Sequence, residues 1–171
     1  MRYTYCPDCG TKLGERKAGD DGNVPYCEKC GKYWFDTFSD CVIVLTYNEY
    51  DEVVLARQSY MSDKYAVFTS GYMAVGETAE ETAVREVKEE LGIDVQQLTY
   101  AGTYWFGAKD MLMHGFIAYA PKCELHLSEE VDSAQWVPAL EAPKTMFPDR
   151  PGNAAFPIYR KYLKMRGISE K

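Results

Sequence analysis

Histidine is scarce in this chain, and long apolar runs are absent. His114 and His126 have no cysteine or second histidine at ligand spacing, so both read as ordinary strand or loop residues rather than ligands or proton carriers. No apolar stretch approaches the ~20 residues of a membrane span. The opening residues MRYTYCPDCG carry neither the basic start nor the apolar core of a signal peptide. A cytoplasmic location with no membrane partner is the expectation. Positive charge is also in short supply: 19 Lys and Arg stand against 26 Asp and Glu, a net charge of -7, which argues against broad, non-specific binding to nucleic acid. A polyanionic ligand would need a local device to receive it. Internal repeats and low-complexity tracts are missing too.

What remains is a chain of 171 residues with an ordinary 46 % of hydrophobic residues, enough for one well-cored domain and a small appendage. Six cysteines in a chain without export signals read as metal ligands and core residues rather than disulfides. Four of them form two turns, Cys6-Pro7-Asp8-Cys9-Gly10 and Cys27-Glu28-Lys29-Cys30-Gly31, separated by a polar stretch centred on Gly19 to Asn23. This is the pattern of a zinc ribbon. Each CxxC bends two thiolates onto one ion, the following glycine lets backbone amides turn towards sulfur, and two turns complete a closed, structural Zn²⁺ shell. A redox dithiol is the competing reading of either pair. Cys41 and Cys123 stand alone, as small buried hydrophobes or spectators. The ribbon is expected over residues 1–36, with Asp36 to Asp40 as the junction and a second domain over residues 37–171.

That second domain opens with apolar, β-branched runs at Cys41 to Thr46 and Glu52 to Arg57, joined as a hairpin, and a third strand over Tyr65 to Thr69. A helix from about Ala79 to Leu91, stopped by Gly92, follows a glycine-punctuated loop. Strands are expected over Val95 to Phe106, Met111 to Ala120 and Ser133 to Val137. Met111 and Met113 read as strand packing rather than sulfur ligands. A last amphipathic helix runs from about Pro157 to Arg166, with Ile158, Tyr162 and Met165 on one face. On the first helix, Glu86, Glu89 and Glu90 stand at i, i+3 and i+4, one acidic cluster, while Ala83, Val87 and Leu91 form the adjoining apolar stripe. Such a cluster is either a solvated face or a site whose repulsion a divalent cation relieves. Oxygen-only ligands favour Mg²⁺ or Mn²⁺.

The segment Gly71 to Ile93, GYMAVGETAEETAVREVKEELGI, resembles the Nudix box, G-x5-E-x7-R-E-U-x-E-E-x-G-U, at every fixed position. The likeness to Nudix hydrolases extends over roughly residues 38 to 171 and implies an α+β fold, the Nudix α/β/α sandwich with a mixed sheet, preceded here by a small zinc ribbon. Ribbon plus box, with CVIVL, Leu55-Ala56-Arg57 and SGYMAVGET, is similar to the NADH pyrophosphatase group. That group's downstream marker SQPWPFPxS is replaced by Thr103 to Met111, which keeps aromatics but has neither the glutamine nor the prolines. The resemblance implies a metal site built from Glu86, Glu89, Glu90, the Gly71 carbonyl and a later carboxylate. Aligning EEVDSAQWV puts that carboxylate at Glu130, one residue from Glu129. It also implies that Glu77 and Arg85 pair to fix loop against helix. The general base stays open between Glu86, Glu89 and Glu130, and Tyr104, Trp105 and Phe106 either stack on a substrate base or belong to core. The implied activity is Mg²⁺- or Mn²⁺-dependent hydrolysis of a nucleoside diphosphate linked to another moiety, NAD(H) to NMN(H) and AMP first. ADP-ribose, a nucleoside triphosphate and an NAD-capped RNA end, the one nucleic-acid partner retained, are the alternatives. A homodimer is compatible with this reading. A non-catalytic module that senses a nucleotide and docks through its ribbon is the reading from another class.

Overall fold

A computed structural model describes residues 3–169, and the chain divides into two compact units, Met1–Phe38 and Ser39–Lys171. The first is a three-stranded antiparallel sheet of β1 (Gly14–Lys17), β2 (Asn23–Cys27) and β3 (Lys32–Tyr33), with β2 in the middle. Among the described residues its buried hydrophobics are Cys6, Val24, Tyr26 and Cys27. The Arg16 guanidinium lies 3.7 Å over the Tyr26 ring, so a cation covers what little apolar surface there is.

The second unit contains β4 (Ser39–Tyr47), β5 (Glu52–Arg57), β6 (Thr69–Tyr72), α1 (Ala79–Leu91), β7 (Gln97–Phe106), β8 (Met111–Tyr119), β9 (Ser133–Pro138), a 3₁₀ segment (Ala139–Lys144) and α2 (Ala155–Arg166). The sheet order is β7-β8-β4-β5-β9, with β6 also pairing β4. The β4–β8 pair is parallel and the other pairs are antiparallel, which makes the sheet mixed. Alternation along β4 explains the two layers of helix. Val42 and Val44 pack with Ala83, Val87 and Leu91 of α1, whereas Ile43, Leu45 and Tyr47 pack with Ile158, Tyr159 and Tyr162 of α2. A strand covered on both faces has no polar side, hence the unbroken run CVIVL. At the hairpin after β4, buried Asn48 accepts from the amides of Tyr50 and Glu52 through Oδ1, at 2.9 and 3.2 Å. Among the described residues, no helix is long and apolar enough to cross a membrane.

Three expectations need correction. The third strand is Thr69–Tyr72 rather than Tyr65 to Thr69, because Ala66 and Val67 make only isolated bridges, to Met146 and Ala56, before the chain reaches β4. Helix α2 begins two residues before Pro157, where Asn153 Oδ1 accepts from the Ala155 amide. Its buried face is Ile158, Tyr159, Tyr162 and Leu163, and Met165, at i+7 on the edge of this i, i+1, i+4, i+5 stripe, is left 44 % exposed.

The pairing of β4 positions the site. It meets β5 at Tyr47↔Val53 but pairs with β6 from Cys41 to Val44. The strand therefore changes partner along its length. β6, which carries Gly71, comes to lie against both β4 and α1.

Candidate active site

Helix α1 is held at both ends. Thr78 caps its start, its Oγ1 accepting from the Glu81 amide while the Glu81 carboxylate accepts from the Thr78 amide; Gly92, at φ 73°, closes it in the left-handed conformation. The stripe of Ala83, Val87 and Leu91 is wholly buried. That burial leaves the neighbouring carboxylates at graded depths: Glu90 is 4 % exposed, and the side chains of Glu86 and Glu89 are 13 % and 59 % exposed. The Glu86 carboxylate rests against the bare Cα of Gly71. A Cβ there would lie 2.0 Å from Glu86 Cδ, so no other residue fits without displacing the acid.

Arg85 organises the loop before the helix. Its Nε and Nη2 donate to the two oxygens of Glu77 at 2.7 and 2.9 Å, its Nη1 to Glu86 and Glu89 at 2.8 and 2.9 Å, and its Nη2 also to the Tyr72 carbonyl at 3.2 Å. Glu77 further accepts from the Ala74 amide and the Thr82 hydroxyl. These partners, Arg85 first, hold the Glu77 carboxyl down at about 2. Glu86 and Glu90 move the opposite way. Burial raises Glu86 against the pull of Arg85, with Glu89 and Glu130 adding to the rise. Burial lifts Glu90 to about 7, with Gln58 and Thr69 opposing and Glu86 and Glu130 reinforcing. The charge of Glu130 is among those that raise both helix acids. Its loop is anchored on both sides. The Ser128 amide donates to the Glu90 carbonyl at 3.2 Å, and the Asp132 amide to the Arg57 carbonyl at 2.9 Å.

These acids line a cleft of about 930 Å³. Glu86, Glu89, Glu90, Glu129 and Glu130 border it on one side; Cys41, Phe106, Met111 and Met113 give it an apolar part. Tyr60 and Tyr72, 70 % and 59 % exposed, stand at its edge. Of the three aromatics singled out in the sequence, only Phe106 reaches the cleft. Tyr104 shares a strand face with Phe106 but packs into the α2 cluster, its hydroxyl donating to the Ala101 carbonyl at 2.7 Å. Trp105 projects from the other face and does not line the cleft. The methionines, expected as packing, line the cleft as well. Tyr72 stands at a variable position of the box, and Tyr60 and Cys41 carried no sequence signal of a site. His114 and His126 lie outside the cleft; His114 Nε2 is 3.4 Å from Asp40 Oδ1.

The residues fit a hard divalent cation. Glu90 Oε2 is buried with no hydrogen-bond partner, two helix acids are forced towards their neutral forms, and the donors are all oxygen. The cysteine cluster fits a different ion. The four Sγ atoms of Cys6, Cys9, Cys27 and Cys30 lie within 4.8 Å of one another, with Cys9–Cys27 at 3.6 Å and Cys6–Cys30 at 4.0 Å. A tetrahedral zinc–thiolate shell has sulfur edges of about 3.8 Å. The two turns are equivalent: the Gly10 and Gly31 amides donate to the Cys6 and Cys27 carbonyls, both at 2.8 Å, at φ 69° and 67°.

A mixed sheet between two helices, with a glycine loop feeding an acid-bearing helix, defines the class of a Nudix domain. The model of the NUDIX domain family matches residues 37–156, and the chain belongs to that family. Over 133 residues it is 35 % identical to a protein named NAD-capped RNA hydrolase NudC from Pseudomonas aeruginosa, covering 77 % of this chain and 46 % of that protein. The NudC of Stutzerimonas stutzeri is 32 % identical over 147 residues, 82 % of this chain and 52 % of that one. The chain spans about half the length of these curated relatives. Among solved structures, a NUDIX hydrolase from Nitrosomonas europaea superposes with a TM-score of 0.76 at 18 % identity, over 97 % of this chain and 94 % of that one. The NUDIX domain of Shewanella oneidensis NrtR, complexed with ADP ribose, gives 0.65 at 13 % identity, over 82 % and 94 %. These two show a shared fold.

Proposed function

We propose that this chain is a metal-dependent Nudix hydrolase that cleaves the diphosphate bridge of a dinucleotide, NAD(H) first, to NMN(H) and AMP. The observation that carries the reading is the Glu86 carboxylate resting against Gly71 in the cleft that Glu90 also lines, with one buried Glu90 oxygen left without a partner. Glu86, Glu89, Glu90, Glu130 and the Gly71 carbonyl would hold Mg²⁺ or Mn²⁺. Such a cation supplies the charge that offsets the anionic oxygens of a diphosphate and makes water a better nucleophile at neutral pH. The rest is the work of the chain. Arg85 and Glu77 fix the Gly71 loop against α1, a positioning role. Glu89 and Glu130, both exposed, are the proton acceptors this geometry favours over Glu86, which is nearly buried; the Arg85 guanidinium touches Glu86 and Glu89 alike. Phe106 and Tyr72 offer flat surfaces for a base, next to the methionine side chains. The cysteine cluster would hold a structural Zn²⁺, since four thiolates leave no open position for chemistry.

The relatives named NudC favour an NAD-type substrate, free or at an RNA end. The test is to incubate purified protein and Mg²⁺ or Mn²⁺ with NADH, NAD, ADP-ribose, a nucleoside triphosphate and NAD-capped RNA, following AMP or shortened RNA. Release of AMP from NADH is expected. Turnover of ADP-ribose or a triphosphate with NADH intact would reassign the substrate. Tight nucleotide binding without product under either metal would make the protein a sensor.

A further inference from the structure

Directly after β5 lies Gln58, 1 % exposed, behind the cleft rather than on its wall. Its Nε2 donates to Glu90 Oε1 at 3.1 Å, an interaction 32 residues apart in sequence. Two buried oxygens then remain without partners, Gln58 Oε1 and Glu90 Oε2. Burial of an amide and a carboxylate is costly unless something completes the network. Both oxygens are acceptors, so only a donor or a cation can complete it, and Glu90 is the one of the two residues that lines the cleft.

We propose that Gln58 is a positioning residue for the cation site: by binding Oε1 it fixes the plane of the Glu90 carboxylate and keeps Oε2 as the ligand oxygen. The inference rests on the reading that Glu90 is a cation ligand. A glutamine suits this task because its amide donates a hydrogen bond without bringing positive charge. Lysine or arginine there would neutralise Glu90 and compete with the ion. Gln58 is itself held by its backbone, its carbonyl accepting from the amides of Met61 and Ser62 at 2.9 and 3.1 Å. The residues on either side reach the other wall of the site. The Ser59 amide donates to Asp132 Oδ2 at 2.5 Å, and the Arg57 carbonyl accepts from the Asp132 amide at 2.9 Å, in the loop that carries Glu130. One short stretch, Arg57 to Ser59, therefore sets both the buried acid on the helix and the loop acid facing it. Partners of ligands in this position commonly matter to metal affinity nearly as much as the ligands.

The test is Mn²⁺ binding to the full chain without nucleotide, read from the paramagnetic resonance of free Mn²⁺. The wild type, Glu90→Gln and Gln58→Met are compared, methionine having similar length and no donor. Wild type is expected to bind, Glu90→Gln to lose binding, and Gln58→Met to bind about tenfold more weakly. The Mn²⁺ needed for half-maximal turnover should rise in parallel, with KM for nucleotide at saturating Mn²⁺ unchanged. If melting shows that Gln58→Met does not fold, Gln58→Asn decides: its amide stops one methylene short of Glu90 and should show the same loss. Affinity within about twofold of wild type in a folded Gln58 variant, against the ~10-fold loss expected, overturns the proposal while leaving Glu90 a ligand. No Mn²⁺ binding by wild type, or full binding by Glu90→Gln, overturns the reading of Glu90 and this inference with it.

Discussion

Replacing Glu90 with glutamine should stabilise the protein while disabling it. An unfolded glutamate titrates near 4.5, whereas burial lifts Glu90 to about 7 in the fold. Without a cation, the folded chain keeps a proton that the unfolded chain has released between those values. The stability tied to this group is complete below pH 4.5 and lost as pH rises through about 7. The gap corresponds to about 3 kcal/mol at pH 8, and the group is too buried for solvent to screen much of it. In Glu90→Gln the ionisation is gone, and the Gln58 amide can turn over so that its unpartnered Oε1 accepts from the new side chain. Thermal melts without added divalent metal should show the two proteins within a few degrees at pH 5. At pH 8 the variant should melt about 10 °C higher. Saturating Mg²⁺ should raise the wild type at pH 8 and leave the variant unmoved, because only a state that binds the ion is stabilised by it. Turnover of the variant should be nearly abolished. Equal melting temperatures at both pH values in metal-free buffer would refute the reasoning, since Glu90 would then ionise in place without penalty.

Three further outcomes follow from the same geometry. Gly71→Ala places a Cβ against the Glu86 carboxylate and should lower turnover on the order of 100-fold with the fold intact by circular dichroism, as expected for ~1 Å of displacement at a reacting centre. The stability advantage of wild type over Glu77→Gln should hold above about pH 4.5 and shrink as pH falls through about 2, read from acid unfolding curves; a constant gap across that window would remove Arg85 as the cause of the depressed carboxyl. Elemental analysis should find about one zinc per chain, lost in Cys27→Ser together with the structure of the first 36 or so residues, while Mg²⁺-dependent turnover by the second unit persists. A reversible Cys6–Cys9 disulfide that switches activity would favour a redox role instead.

The parts of the molecule written in local pattern were legible in its sequence. Helix α1 is bounded by Thr78 and Gly92 in the chain itself, so its extent, its stripe and the grouping of its acids could be read directly. The apolar run CVIVL could be read as a strand, and its cover on both faces appears only in the packing. What could not be read depends on partners distant in sequence. Nothing near Gln58 signals Glu90, 32 residues on, and its role as a donor exists only once β5 and α1 pack. Tyr104 and Phe106 share a strand face, yet one is covered by α2 and the other reaches the cleft, a distinction made by where the helix lies. Tyr65 to Phe68 looks like a strand by composition but spends its length crossing from β5 to β4. The Glu130 loop is intermediate. The likeness of EEVDSAQWV to its family segment pointed to the residue, but the anchoring through Ser128 and Asp132 exists only once the loop meets Glu90 and Arg57.

The double capping of α1 makes the helix a ruler whose zero is Thr78. Each residue turns the helix by about 100°, so a single insertion between Thr78 and Glu86 would swing all three acids away from Gly71 and rotate Val87 and Leu91 out of the core. Lengthening the segment by a full turn would restore their direction but slide them about 5 Å past the loop. Along α1, descendants of this chain can change only letter by letter.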